Sequence, residues 1–294
     1  DKAVTKDILS FAGWSLLGNF GITCRDQVTN IIFNVFFQTP VVNAARGIAT
    51  QVSGIISTFA TNITMAINPQ ITKNYSSGNI KESVSLVYMG CRASFYMLTL
   101  IVVPFVVNVD YVLALWLERV PENTSLFLYF ILGVALIYSL SQPITVAIQA
   151  TGDIKAFQIW IFSLMVLEVC LTYLVLWITG SLVYALVPSV VVNFISTAVR
   201  MALVKKKVGA YSFRQYAFDV VFRCVMVLLI SCVVAIYIHY MIGYESFVAF
   251  LGECVVLAIS TIVIILLFGL KRDERLQLVS KLTMSVKRLN GRRV

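Results

Sequence analysis

The sequence predicts an all-α integral membrane protein, a polytopic helical bundle of about eight transmembrane helices, and three observations carry that prediction. Of 294 residues, 59% are hydrophobic and only 13% charged, with a mean hydropathy of +0.89, whereas soluble domains carry about a quarter charged residues. Apolar runs of about 20 residues, the length that crosses a bilayer, recur along the chain with no polar stretch long enough for a soluble domain between them. Lys and Arg alternate between sides. With the first residues set inside, all of the 23 except Arg25, Arg46 and Arg119 fall in inner segments or the tail, the bias that orients membrane helices. An even number of spans with both chain ends cytoplasmic follows, and the net charge of +9 needs no nucleic acid to explain it.

The spans follow one another through short connections. The first, 8–37, ends at Gln38-Thr39-Pro40, because proline cannot donate the hydrogen bond that would continue a helix. The second, 41–70, is expected to close at Asn68-Pro69. The third, 83–108, and the fourth, 125–149, flank a short outer loop holding Asp110, Glu118, Arg119 and Glu122. Gly152-Asp153 separates the fourth from the fifth, 155–179, with Asp153 expected as a helix cap. Gly180-Ser181 makes a tight hairpin into the sixth, 182–204. The seventh, 216–241, places Asp219 and Arg223 four residues apart, an expected intrahelical pair. The eighth, 246–270, carries Glu253 with no evident partner. Residues 271–294 are basic, with Leu276, Val279, Leu282, Met284, Val286 and Leu289 among the charges. They read as an amphipathic helix on an anionic inner leaflet or as a solvated terminus. The chain opens on Asp1 without start-of-protein features and is expected to be the carboxyl-terminal part of a longer protein.

Two spans are wet along one side. In the second, Asn43, Arg46, Thr50, Ser53, Ser57, Thr61, Thr64 and Asn68 recur at spacings of three or four and share one narrow face. Val42, Ile48, Val52, Ile56, Phe59 and Ile63 occupy the other faces. In the first, Ser15, Asn19, Thr23, Asp26, Asn30 and Asn34 do the same. Such helices must line a water-filled cavity or a polar seam, and as an antiparallel hairpin they can aim both stripes at one lumen. A charge near the bilayer centre costs about 2.5–3.5 kcal/mol, so Arg25, Asp26 and Arg46 need a reason. They either fasten helices as a local salt bridge, or Arg46 with Arg25 offers fixed positive charge to an anionic substrate, for which the guanidinium fork is suited. Arg25 lies away from much of its stripe, so its partner is expected on another helix, one absent from this chain.

Elsewhere, Ser139, Gln142 and Gln149 share a face in the fourth span, and Pro143 bends that helix as a hinge or an inherited kink. Glu168 stands alone in the fifth, either a protonatable coupling site or a protonated, hydrogen-bonded carboxyl. The six cysteines form no CxxC pair and read as small buried hydrophobes. His239 is the only histidine, which leaves no metal site, and the chain has no GxxxxGK[ST] phosphate loop. No cofactor and no enzymatic chemistry are expected.

The run Asn34-Val35-Phe36-Phe37, Val41-Val42-Asn43-Ala44-Ala45-Arg46-Gly47-Ile48-Ala49 and Gln51-Val52 resembles bacterial polysaccharide flippases. So do Met65-Ala66-Ile67-Asn68-Pro69-Gln70-Ile71, Leu115-Trp116-Leu117 and Ala147-Ile148-Gln149-Ala150-Thr151-Gly152. These are O-antigen-type exporters of the superfamily that also holds multidrug and toxin extrusion pumps. The resemblance covers residues 7–205, and the last two spans loosely. It implies two six-helix lobes around a cavity, working by alternating access. Residues 1–204 would be the second lobe, 205–270 two additional helices and 271–294 a cytoplasmic tail, with the N-terminal lobe absent. The implied cargo is an undecaprenyl-pyrophosphate-linked oligosaccharide crossing the bacterial inner membrane. The implied partners are membrane lipids, polysaccharide polymerase and glycosyltransferases. Substrate would meet Arg46, Arg25, Asn43, Asn30, Asn34, Thr50, Ser53, Ser57, Gln142 and Gln149, with Asp26 and Glu168 available for ion coupling. The alternatives are a cation-coupled multidrug antiporter, weakened because the tenth-equivalent helix offers Gln142 and Gln149 but no carboxylate, and a non-transporting scaffold for polysaccharide synthesis. An enzyme acting on lipid-linked sugar would have to use Asp110, Glu118 and Glu122, which lack an evident pocket.

Overall fold

The computed structural model describes residues 2–242, 247–271 and 274–275. The described chain consists of helices and their connections. They are α1 (Lys2–Phe37), α2 (Pro40–Ser76), α3 (Ile80–Val107), a short α4 (Val109–Trp116), α5 (Thr124–Ser139), α6 (Gln142–Ala150), α7 (Lys155–Thr179), α8 (Leu182–Val208), α9 (Phe213–Tyr216), α10 (Arg223–Ile242) and α11 (Phe247–Ile264). Among the described residues six rods are long and apolar enough to cross a membrane: α3, α5 with α6, α7, α8, α9 through α10, and α11 with its π-helical end. Of the eight expected spans, α1 and α2 are not among these six, although they run to 36 and 37 residues. Their polar stripes lower the hydropathy.

Local chemistry accounts for most breaks. Between α1 and α2, Thr39 caps the second helix by accepting from the Val41 N–H at 3.3 Å, and Pro40 takes the first helical position, where a missing donor costs nothing. Gly180, at φ +60°, turns α7 into α8. Pro69 does not close α2, which runs on to Ser76; one lost backbone bond inside a packed helix is tolerated. Asp153 does not cap α7, because Ile154 fills that position. Its carboxylate instead takes Lys207 Nζ at 2.6 Å, tying the α6–α7 turn to the end of α8.

The fourth expected span is two helices. Pro143 has no N–H for the Ser139 carbonyl, so α5 stops there and the next two residues tighten into bonds from Leu140 N to Ile137 O (3.2 Å) and from Ser141 N to Tyr138 O (3.0 Å). The Leu140 carbonyl accepts from Tyr216 Oη at 2.9 Å.

Packing sets the arrangement. α1 lies along α7, α7 along α8, α8 against α5 and α6, and these against α2. α1 and α2 touch, so the ring closes. On the outer side of α2 lies α3, and α10 and α11 pack on α3 and on each other. One apolar core runs through both parts, from Ile32 and Phe33 to Val227 and Ile264, without interruption at residue 204. Gly18 and Gly21 permit the close approach of α1 to α7: an added Cβ at Gly21 would lie 2.8 Å from Phe162 Cδ2. Outward faces are apolar, with Trp177, Ile178, Phe194, Val233 and Ile236 exposed. An apolar rim around a polar interior is the arrangement of a bundle in lipid.

Two acid pairings depart from expectation. Asp219 pairs with Lys271 Nζ at 2.6 Å, while Arg223 donates to the Leu270 carbonyl at 3.3 Å. A π-helical segment, Ala217–Phe222, widens the turn between Asp219 and Arg223 and changes the angle that a four-residue spacing would give. Glu253 is buried against His239 Nδ1 at 2.9 Å, a partner 14 residues earlier on the neighbouring helix. The tail's expected amphipathic helix falls mostly outside the described residues.

Candidate functional site

Inside the ring lie two adjoining cavities. The upper one, about 530 Å³, reaches Phe33, Asn43 and Ala185, the side of the ring nearer the turns at Gln38-Thr39-Pro40 and Gly180. α1 contributes Arg25, Asp26 and Asn30 to it, and α2 contributes Asn43, Arg46 and Thr50. Glu168 and Thr172 come from α7, Ser189 and Asn193 from α8. Phe127, Ile131 and Val134 of α5 form an apolar wall.

Four charges organise this space. Arg25 Nη2 lies 3.0 Å from Asp26 Oδ1, and Arg25 Nη1 lies 3.7 Å from Glu168 Oε2. Arg46 Nη2 is 3.7 Å from the same Asp26 oxygen. Arg46 Nη1 donates to Asn30 Oδ1 and, at 3.3 Å, to the Asp26 carbonyl. Asn43 Nδ2 donates to the Asn30 carbonyl at 3.2 Å. Two guanidinium groups thus meet two carboxylates across three helices. The network fastens α1, α2 and α7 while leaving Asp26 42% exposed to the cavity.

The lower cavity, about 420 Å³, shares Arg25, Ile131, Val134, Glu168 and Asn193 with the upper and extends toward the end that carries Lys155 and Lys205. Asn19, Ser53, Thr145, Gln149, Gln158 and Ser196 supply amides and hydroxyls. Tyr138 and Arg200 line it at the α5–α6 break. The Arg200 side chain is nearly buried, with 6% exposure. Its Nη1 donates to Ser141 Oγ at 2.7 Å, and the guanidinium stacks 5.0 Å from the Tyr138 ring centre.

The residues singled out in the sequence distribute unevenly. Arg25, Asp26, Asn30, Asn43, Arg46, Thr50 and Glu168 meet at the upper cavity; Ser53 and Gln149 line the lower one. Asn34, Ser57 and Gln142 line neither. Gln142 accepts from Thr64 Oγ1 at 3.3 Å, and Thr64 pairs with Ser94 of α3 at 3.0 Å, so this part of the stripe is a packing seam. Several stripe hydroxyls need no water, because Thr50, Thr61 and Thr64 donate to carbonyls one turn earlier. Glu168 is not alone, and Arg25 finds its partner on α7 within this chain: a residue off its own stripe faces whichever helix packs there.

A third polar stripe lies on α8. Ser189, Asn193, Ser196 and Arg200 recur at the same spacing as the stripe on α2, and all four line the cavities. In the sequence Arg200, five residues before Lys205, is indistinguishable from the inner positive charge.

The MatE family model matches residues 15–174, more than half of the chain. That stretch runs from within α1 to most of α7 and hence carries most of the lining of both cavities. No curated protein and no solved structure matches. A ring of membrane-length helices around a polar lumen agrees with the family match, and the chain belongs to the MatE family of multi-pass membrane transporters, within the superfamily of multidrug and polysaccharide exporters.

Proposed function

We propose that the protein moves an undecaprenyl-pyrophosphate-linked oligosaccharide across the bacterial inner membrane during polysaccharide biosynthesis, with both chain ends cytoplasmic and a companion lobe completing the pathway. One observation carries this reading: both lumen carboxylates already hold arginines, and the remaining polar side chains of the lining are amides, hydroxyls and guanidinium groups. Amides and hydroxyls match sugar hydroxyls, and guanidinium forks match diphosphate oxygens. A cation-coupled drug antiporter needs a carboxylate free to take its ion or proton. Glu168 and one oxygen of Asp26 face arginines, which favours the glycan reading. Polysaccharide polymerase and glycosyltransferases are the partners this function calls for.

The test replaces the native protein in its host by Arg46→Ala. Loss of surface polysaccharide, with normal membrane insertion and unchanged tolerance of cationic dyes, is the expected result. A normal sugar coat with new dye sensitivity would establish the antiporter instead.

A further inference from the structure

The two cavities differ in charge, and the difference lies in one side chain. Among the described residues Arg200 has no carboxylate partner: its Nη1 bonds a neutral hydroxyl, its face meets the Tyr138 ring, and its Nε has no hydrogen-bond partner although buried. Proteins rarely bury a guanidinium without an opposing anion, because desolvation exceeds what neutral contacts return. The neighbouring network shows what a compensated lumen looks like, with Arg25 and Arg46 matched by Asp26 and Glu168.

The backbone around Arg200 is also unusual. Pro143 interrupts the rod at Ser139, and the break turns the Ser141 hydroxyl onto both Arg200 and Thr197 Oγ1, the latter at 3.3 Å. The guanidinium is therefore held at Nη1 by the Ser141 hydroxyl, itself fixed by Thr197, and on one face by an aromatic ring, while Arg200 still lines the lower cavity. Ser196, one turn before it on α8, lines the same cavity.

We propose that Arg200 is an anion subsite for a phosphoryl group, the lipid-borne diphosphate of the transported substrate, with Ser141 and Tyr138 positioning the fork. The proposal rests on the glycan-carrier reading and assigns the diphosphate end to the lower cavity. The compensated upper network then faces the sugars.

Calorimetry on the intact protein in phosphatidylcholine nanodiscs tests this, with inorganic pyrophosphate and geranylgeranyl diphosphate as probes. Arg200→Gln weakens both by about tenfold or more, the loss of one charge-assisted fork. Lys205→Gln, an exposed charge on the same helix, changes affinity less than about twofold, as a screened surface charge does. Without ligand, Arg200→Gln melts at or above the wild-type temperature, because an uncompensated charge has been removed. If Arg200→Gln yields no folded protein, Arg200→Lys carries the test, keeping the charge, losing the fork and binding more weakly. Tighter, Arg200-dependent binding of geranylgeranyl diphosphate than of pyrophosphate supports a polyprenyl carrier. Loss of pyrophosphate binding when phosphatidylglycerol is added supports the same site with bilayer headgroups as its source. Unchanged affinity in Arg200→Gln, or in Arg200→Lys where that variant carries the test, overturns the subsite and leaves the carrier reading standing. Absence of any diphosphate binding by wild type overturns both.

Discussion

The upper and lower cavities share a wall, two charged residues and a helix ring, yet they handle positive charge in opposite ways. Above, Arg25 and Arg46 are locked to Asp26 and Glu168 across three helices. Below, Arg200 rests on a hydroxyl and an aromatic ring. The same residue type thus fastens helices in one place and waits on a ligand in the other. What separates the two is whether a neighbouring helix brings a carboxylate, not burial alone, since Arg200 is the more buried.

Removing one such carboxylate should lessen the contrast. Glu168→Gln leaves the upper network with two arginines and one acid and is expected to destabilise the protein by about 2 kcal/mol. This is less than the 3–5 kcal/mol of breaking a fully buried pair, because the Arg25 side chain is 25% exposed, stands 3.7 Å from Glu168 and keeps Asp26 as a partner. Thermal melting in nanodiscs reads it, and Arg25→Gln added to Glu168→Gln should recover most of the loss. A double variant no better than the single one would show that the pair does not couple.

Wedging the ring open should disturb both cavities together. Gly21→Ala places a Cβ 2.8 Å from the Phe162 ring and pushes α1 from α7, with an expected cost of about 1–2 kcal/mol. Gly47→Ala, where nothing lies within 4 Å, should leave stability the same or slightly higher. Melting temperatures falling equally for both would remove the close-packing explanation.

The smallest effect lies beneath the lower cavity. The hydrogen bond from Lys207 holds the Asp153 carboxyl below its ordinary range, with the nearby Lys207 and Lys155 charges adding to it. A depressed carboxylate stabilises the fold above its unfolded value, and that contribution is lost as pH falls through the lowered one. Asp153 is 70% exposed, so the effect on melting is small, screened by salt, and confined to acid pH. Asp153→Asn should flatten this acid limb. An unaltered pH profile would show that the latch contributes nothing.

Much of this was present in the residue order. Hydrophobic run length gave the rods, because a bilayer demands about 20 apolar residues wherever a helix crosses. Pro40, Gly152 and Gly180 marked turns, since a missing donor or a positive φ acts within a few residues. The three-and-four spacing on α1 and α2 placed Asp26, Asn30, Asn43 and Arg46 on inward faces. The same spacing is present at Ser189, Asn193, Ser196 and Arg200 on α8. Which helix stands opposite a face was settled only by packing. The sequence shows Glu168 as solitary and Arg25 as off its stripe, yet α7 lies against α1 and makes them a pair. Helical periodicity fixes an angle around one axis, whereas a partner depends on where a distant axis comes to rest. That position is set by side-chain fit, such as Gly21 against Phe162, which leaves no periodic signal.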